Sequence, residues 1–490
     1  MEGVKTDMTP QQEAVVDAVR RGEERVVVQA YAGSGKTYTL TRVAEAAAAQ
    51  GKSVLYLVFN RSMREEAERK FKRAGLSGVV VLTAHGLAWR KSSGRLRERL
   101  VSYPYQLYPE VGGEIPWVSR CPQADAALVA GLVGFAHSPD RTPTLEHVPP
   151  ERRASLAKCE LERQEVEAAL ARLWQVISDP GSRFPLLHDF YLKNFHLSGA
   201  ELPYDLILYD EAQDANAPMR EVVLRQPAQK VFVGDAYQSL YGWRGAVNAL
   251  AQLSGRKLYL SRTFRFGPEV AAWANRVLAL LGERTPMQAG DQVASRVFVG
   301  SRPAGGPIAV LVRSNDEVIE AIRDLRAAGY RSVKLVRSNG FIHVLTDVVR
   351  LRLGQPLKAN SPLYGFTWCR LRQAVERDPS GYGELRTLVW LVEREPDPGA
   401  LLRDLKRAVH TKAHEADAVV STVHQAKGLE WDRVWLREVP RLADGGGTPD
   451  PSELMLLYVA LTRARYELFL PADLERELRT LEEASSSRAA

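Results

Sequence analysis

Residues 30–37 read Ala-Tyr-Ala-Gly-Ser-Gly-Lys-Thr and follow the apolar run Val26–Val28. Small residues at Ala32, Gly33, Ser34 and Gly35 let successive backbone N–H groups point at one anion, which suits a triphosphate held away from water. Lys36 supplies charge for the outer phosphates, and the Thr37 hydroxyl is a ligand for Mg²⁺. The general pattern opens with Gly, where this chain has Ala30. The strand-like run before the loop and the helix-forming Leu40–Ala49 after it supply the expected context. A second reactive group follows another apolar run: Leu206–Tyr209 ends in Asp210-Glu211-Ala212-Gln213-Asp214. A metal–phosphate site needs a carboxylate at a strand end and a group that orients or deprotonates the attacking water. Asp210 fits the first role and Glu211 the second.

These groups need a scaffold. A chain of 490 residues exceeds one hydrophobic core, so about three or four domains are expected. Apolar residues make up 45% and charged residues 26%, as in globular proteins in water. The net charge of +7 favours a polyanionic partner over an acidic one. Cys121, Cys159 and Cys369 are few, odd and widely spaced. They predict neither a disulfide framework nor a metal cluster, as in a reducing cytosol. The nine histidines are scattered, so no metal is expected beyond nucleotide-bound Mg²⁺. The start Met-Glu-Gly-Val-Lys-Thr-Asp-Met lacks a leader pattern, and the longest apolar runs are strand-length. A cytoplasmic location without membrane contact is expected.

Thr9-Pro10 starts a helix over 11–20. Strands are predicted at 54–59 and 79–82, then at 206–209 and 230–233. A second α/β region after about Phe266 has strands at 308–312, 418–422 and 433–436. Strands alternating with helices predict parallel sheets covered on both faces. From 92 to 186 the strand signal vanishes among Pro-rich turns and helical patterns such as 152–178, which reads as a helical insertion. Residues 351–404 read as another. The expected division is 1–91, 187–265, 266–350 and 405–478 for the sheet regions, with 479–490 a disordered tail.

Further motifs follow in order. They are Gly234-Asp235-Ala236-Tyr237-Gln238-Ser239-Leu240-Tyr241-Gly242-Trp243-Arg244-Gly245-Ala246, Leu260-Ser261-Arg262-Thr263-Phe264-Arg265-Phe266, Val420-Ser421-Thr422-Val423-His424-Gln425-Ala426-Lys427-Gly428-Leu429-Glu430 and Leu457-Tyr458-Val459-Ala460-Leu461-Thr462-Arg463-Ala464-Arg465. With the phosphate loop and Asp210-Glu211, they resemble superfamily 1A helicases of the UvrD/Rep/PcrA type, over nearly the whole chain. Within that group the chain is most similar to the F-box DNA helicase branch, with no F-box segment evident. The resemblance implies two RecA-like P-loop domains with parallel sheets, a helical insertion in the first and a reduced one in the second.

It also implies roles. Gln12, or its neighbour Gln11, reads adenine, with Phe264 stacking on the base and Tyr38 beside it. Gln238, Arg265 and Arg463 meet the γ-phosphate, and Glu430 meets the ribose. Phe59, Asn60, Thr83 and His85 line a path for single-stranded DNA, Trp243 stacks on a base, Arg244 binds the DNA beside it, and His424 meets its backbone. His188-Asp189-Phe190-Tyr191-Leu192-Lys193 resembles an F-box-branch segment with a basic residue near the DNA. Tyr38 stands where many relatives have Arg.

The implied activity is an ATP- and Mg²⁺-dependent motor on single-stranded DNA and single-strand/duplex junctions, moving 3′ to 5′ as a monomer or weak oligomer. The reduced second insertion leaves an alternative: a DNA-dependent ATPase that strips recombinase filaments or acts with repair proteins, with little strand separation. A regulatory nucleotide-binding module and an RNA motor are further readings.

Overall fold

The computed structural model describes residues 8–92, 96–121, 123–240, 249–290, 293–336, 339–359, 361–438, 440–443 and 448–489. Two six-stranded sheets organise them. The first contains β1 (Arg25–Ala30), β2 (Val54–Val58), β3 (Val80–Thr83), β4 (Leu206–Tyr209), β5 (Gln229–Gly234) and β6 (Arg256–Leu260), in the order β3-β2-β4-β5-β1-β6. The second contains β7 (Arg296–Val299), β8 (Ile308–Val312), β9 (Val333–Leu335), β10 (Ala418–Thr422), β11 (Trp431–Leu436) and β12 (Ala464–Leu470), in the order β7-β12-β11-β8-β10-β9. Every pairing in both sheets is parallel. Strands β2, β4, β5 and β8 are buried at every residue, which is why they read as unbroken apolar runs: helices cover both faces.

Parallel strands gather their carboxyl ends on one edge, where open α/β sheets bind ligands. In the first sheet that edge carries the loop after β1, Asp210 after β4, Asp235 after β5, and Phe59 and Thr83 at the ends of β2 and β3.

Between β3 and β4 the chain is helical among the described residues, apart from a single Leu100–Leu186 bridge. The helix expected over 152–178 is two, Pro150–Ala157 and Arg163–Ser178, separated near Glu160 at φ 58°. The expectation of no disulfide is corrected here: Cys121 and Cys159 are bonded, with Cα atoms 5.7 Å apart. Cys121 lies just before the helix Ala124–His137 and Cys159 just after Pro150–Ala157. Packing of those two helices brings together cysteines that are 38 residues apart.

The second insertion consists of the helices Trp368–Arg377, Pro379–Arg394 and Pro398–His410. The boundaries placed at 350/351 and 404/405 fall inside the helices Asn339–Arg352 and Pro398–His410. These helices share one core with β8, β9 and β10. The disordered tail is also corrected: the helix Leu474–Ala489 runs through it. Its Leu474, Leu478 and Leu481 are buried in the second domain's core, and Glu482 pairs with Arg276 at 2.7 Å.

The two insertions touch. Asp378 accepts from Arg152 and, at 2.7 Å, from the Tyr108 hydroxyl. Tyr105 stacks between Tyr103 and Tyr382, at 5.4 and 4.8 Å, and is buried in the core built around the second sheet. No helix among the described residues is long and apolar enough to cross a membrane.

Candidate nucleotide cleft and nucleic-acid edge

The loop after β1 turns through two left-handed glycines, Gly33 (φ 72°) and Gly35 (φ 81°). A Cβ at Gly33 would lie 2.5 Å from Arg265 Cβ and 2.6 Å from Thr263 Oγ1, so only glycine permits this approach. The helix Lys36–Ala48 begins directly after Gly35, placing unpaired N–H groups at the loop. The Ser34 hydroxyl is buried without a hydrogen-bond partner. Lys36 Nζ lies 3.4 Å from the Ala30 carbonyl and 3.8 Å from Glu211 Oε1. Left-handed glycines, helix amides, an orphaned hydroxyl and a lysine together fit a bound polyphosphate.

Asp210 Oδ2 accepts from the Tyr56 hydroxyl at 2.7 Å, and its Oδ1 accepts from the Glu211 N–H at 2.9 Å. Glu211 adopts φ 51°, a conformation that costs energy outside glycine. Its Oε2 accepts from Gln213 Nε2 at 2.5 Å. Burial, then the charge of Glu211, raises the Asp210 carboxyl above its ordinary range. Burial acts on Glu211 in the same sense, but Lys36 and Lys427 outweigh it and hold Glu211 below its ordinary range. The adjacent carboxylates are thus pushed apart, as suits two different tasks.

The second domain closes the site. Arg463 is 1% exposed. Its Nε donates to the Val459 carbonyl (2.9 Å), its Nη1 to the Leu429 carbonyl (3.1 Å) and its Nη2 to Gln238 Oε1 (3.2 Å). Burial and neighbouring Arg265 lower its pKa to about 9. Gln238 Nε2 donates to Asp235 Oδ2 (2.7 Å), which also accepts from the Tyr458 hydroxyl (2.9 Å). That hydroxyl in turn accepts from the Ala32 N–H of the phosphate loop at 3.4 Å. Arg265, between the sheets, donates from Nη1 to the Thr462 carbonyl at 2.9 Å and pairs with Glu430 at 2.7 Å. Lys427 donates to the Asp214 carboxylate and to the Gln238 carbonyl.

The two glutamines near the start separate cleanly. Gln12 is buried, caps its helix by accepting from the Thr9 N–H (3.0 Å), and reaches the Ser34 carbonyl at 3.5 Å. Gln11 instead bonds Ser261. Phe264 is 48% exposed, and its N–H donates to the Gly33 carbonyl at 2.8 Å. The Tyr38 ring lies under Arg42 at 5.0 Å.

Asn60 and Thr83 cap the helices Arg61–Arg73 and Ala84–Lys91, accepting from Met63 N–H and Gly86 N–H. Phe59 follows β2, and His424 lies on the short helix Val423–Ala426 after β10. His85 faces Asp189 at 3.1 Å. Trp243 and Arg244 lie outside the described residues. The basic residue expected near the DNA, Lys193, is corrected: it is fully buried and donates to the Ser138 and Asp140 carbonyls at 2.7 and 2.6 Å. Sequence reasoning gave no role to Asp214, Asp235, Lys427 or Tyr458, although each sits inside a quoted motif.

A phosphate cradle on one parallel sheet, sealed by arginines at and beyond the start of a second, defines a two-domain P-loop nucleotide-binding protein. Family comparisons refine this. A model of the UvrD-like helicase C-terminal domain matches residues 387–473, and one of an AAA domain matches residues 11–244. The chain is 29% identical to F-box DNA helicase protein 1 of Schizosaccharomyces pombe, covering 94% of this chain and 57% of that protein. It is 28% identical to F-box DNA helicase 1 of Gallus gallus, covering 96% and 50%. Against ATP-dependent DNA helicase UvrD2 of Mycobacterium tuberculosis the identity is 24%, covering 94% and 78%. These matches are consistent with a UvrD-like helicase of superfamily 1A, to which the chain is similar over nearly its whole length. It spans about half the length of the F-box relatives it matches.

Proposed function

We propose that this chain is an ATP-driven motor that moves along single-stranded DNA, 3′ to 5′, and separates strands. One observation carries the reading: Arg463 of the second domain meets Gln238 of the first at 3.2 Å, beside Lys36 and Glu211. A nucleotide held between them ties the separation of the two domains to its own state. Lys36, Ser34 and the loop amides hold the phosphates. Thr37 and Asp210 would hold Mg²⁺, which supplies charge neutralisation when bound. Glu211 orients and deprotonates the attacking water, Gln238 relays phosphate loss, and Arg265 and Arg463 bear on the developing charge. Gln12, Tyr38 and Phe264 form the adenine side, with Glu430 at the ribose. Phe59, Asn60, Thr83, His85 and His424 carry the strand, with Trp243 and Arg244 at its bases.

The test is ATP turnover with poly-dT, poly-U or neither, beside strand displacement on 3′-tailed, 5′-tailed and blunt duplexes. Poly-dT stimulation and displacement of 3′-tailed duplexes only are expected. Equal turnover with and without polymer overturns the motor, and preference for poly-U makes the track RNA. A second reading, filament stripping with little strand separation, draws on the small second insertion, whose helices share a core with the second sheet. Clearance of a recombinase filament without duplex opening would select it.

A further inference from the structure

Asp189 is a carboxylate claimed by two imidazoles from different parts of the chain. His85 Nε2 lies 3.1 Å from its Oδ1, and His137 Nε2 lies 3.1 Å from its Oδ2. His85 is in the first turn of the helix that follows β3, and His137 ends the helix Ala124–His137 of the insertion. Asp189 opens the helix His188–Leu197, which packs on both. One turn on, Lys193 grips the carbonyls of Ser138 and Asp140, just past His137. Three bonds from one helix therefore fix the end of the insertion's central helix, while a fourth fixes His85.

The chemistry of this trio is directional. Burial raises the Asp189 carboxyl, but the bonds from His137 and His85 outweigh it and hold it well below the usual carboxylate range. A carboxylate only accepts, so each ring donates from Nε2. The remaining nitrogen of His85, Nδ1, is then a bare acceptor in the neutral ring and a donor only in the imidazolium. A phosphate oxygen needs the donor. The groups facing His85 are Asp189, His188 and Tyr191 on one helix and His137, through Asp189, on another; Trp89 shares its own helix and meets Tyr191 edge to face. Among the described residues, no group of three or more His, Cys, Asp or Glu is arranged to hold a metal ion.

We infer that Asp189 is a positioning residue for DNA binding: by accepting from Nε2 it fixes the His85 ring so that Nδ1 is left for a backbone phosphate, in competition with His137 for the same carboxylate. This rests on the proposed DNA contact of His85. The test is anisotropy of a labelled oligo-dT, without nucleotide, from pH 5.5 to 8 at fixed salt. Wild-type affinity should strengthen as pH falls through the histidine range. Asp189→Asn should flatten that dependence and weaken binding roughly tenfold at pH 6, the scale of one charge-assisted bond. Asp189→Glu, which keeps a carboxylate, should restore part of both. His137→Gln removes the competitor and should strengthen binding at pH 6. If His85→Ala weakens binding while Asp189→Asn keeps wild-type affinity and slope, the inference is overturned. Unchanged binding by His137→Gln overturns it too, and guards against misfolding of the Asp189 variant. If His85→Ala itself changes nothing, the DNA contact fails first.

Discussion

Lys427, on the loop after β10, donates to the carboxylate of Asp214, which lies 213 residues earlier on the loop after β4. Both side chains are nearly or wholly buried, at 9% and 0% exposed. The same ammonium reaches the Gln238 carbonyl, so one lysine ties two loops of the first domain to the second. Each charge is buried opposite the other, and a buried charge without its partner is costly.

Removing either partner should therefore slow DNA-stimulated ATP turnover by roughly thirtyfold or more, the lower end of the range for truncating a desolvated charge pair. The double variant Lys427→Met/Asp214→Asn should cost little more than each single one. Additive losses in steady-state turnover would mean that the two act separately.

Burial pushes the Asp214 carboxyl up to about 6. As pH falls through that value the carboxyl gains a proton and the pair is lost, so turnover should decline on the acid side. Asp214→Asn should lack that limb. Stability runs the other way. A raised carboxyl holds its proton more tightly when folded, so its contribution is full below about pH 4 and is lost as pH rises to about 6. Thermal melts at pH 5 and 7 separate this residue's stability effect from its effect on rate.

Arg463 places three nitrogens on four acceptors at once. Lysine cannot reproduce that fork. Arg463→Lys and Arg463→Ala should both lower kcat by about 10³ or more, with little change in ATP binding in a nucleotide-titration assay. Comparable kcat in the lysine variant would show that only charge is needed.

Phe264→Ala should raise KM for ATP several-fold and leave kcat nearly unchanged, because an exposed ring beside the phosphate loop binds ground and transition states alike. Gln12→Ala should show the same kinetics and also lose about 1 kcal/mol of stability, since Gln12 completes the cap on Thr9. Urea unfolding beside ATP and GTP kinetics distinguishes the two.

Arg152→Ala leaves Asp378, 10% exposed, without its cation and should cost about 3–5 kcal/mol. Arg152→Met/Asp378→Leu should be much closer to wild type. If the double variant unfolds in urea as early as the single one, the contact is valued for its shape and not its charge.

Much of the cleft was legible because its residues lie in runs tied to strand ends: Gly33 to Thr37 after β1, Asp210 and Glu211 after β4. What escaped depends on contacts between distant segments. Lys427 looks like an ordinary loop lysine until Asp214 is opposite it. Lys193 looked like a DNA contact and is buried, because its two carbonyl acceptors come from 138 and 140. Cys121 and Cys159 carry no spacing signal, and only helix packing unites them. The missed strands fail for local reasons. The outer strand β6 is exposed at three of its five residues (Arg256, Lys257 and Tyr259), β9 spans only Val333–Leu335, and β12 begins Ala-Arg-Tyr-Glu, which lacks the continuous apolar run of β4 or β8.

The meeting of Asp378 with Arg152 and Tyr108 has a mechanical consequence. The two lobes are joined at the candidate nucleotide cleft and again between their helical outgrowths. Bodies pinned at two places do not slide freely; they swing about one pin when the other yields. For the motor proposed above, opening of the nucleotide cleft would turn the lobes about the Arg152–Asp378 contact, and a bound strand would be carried further the farther it lies from that axle.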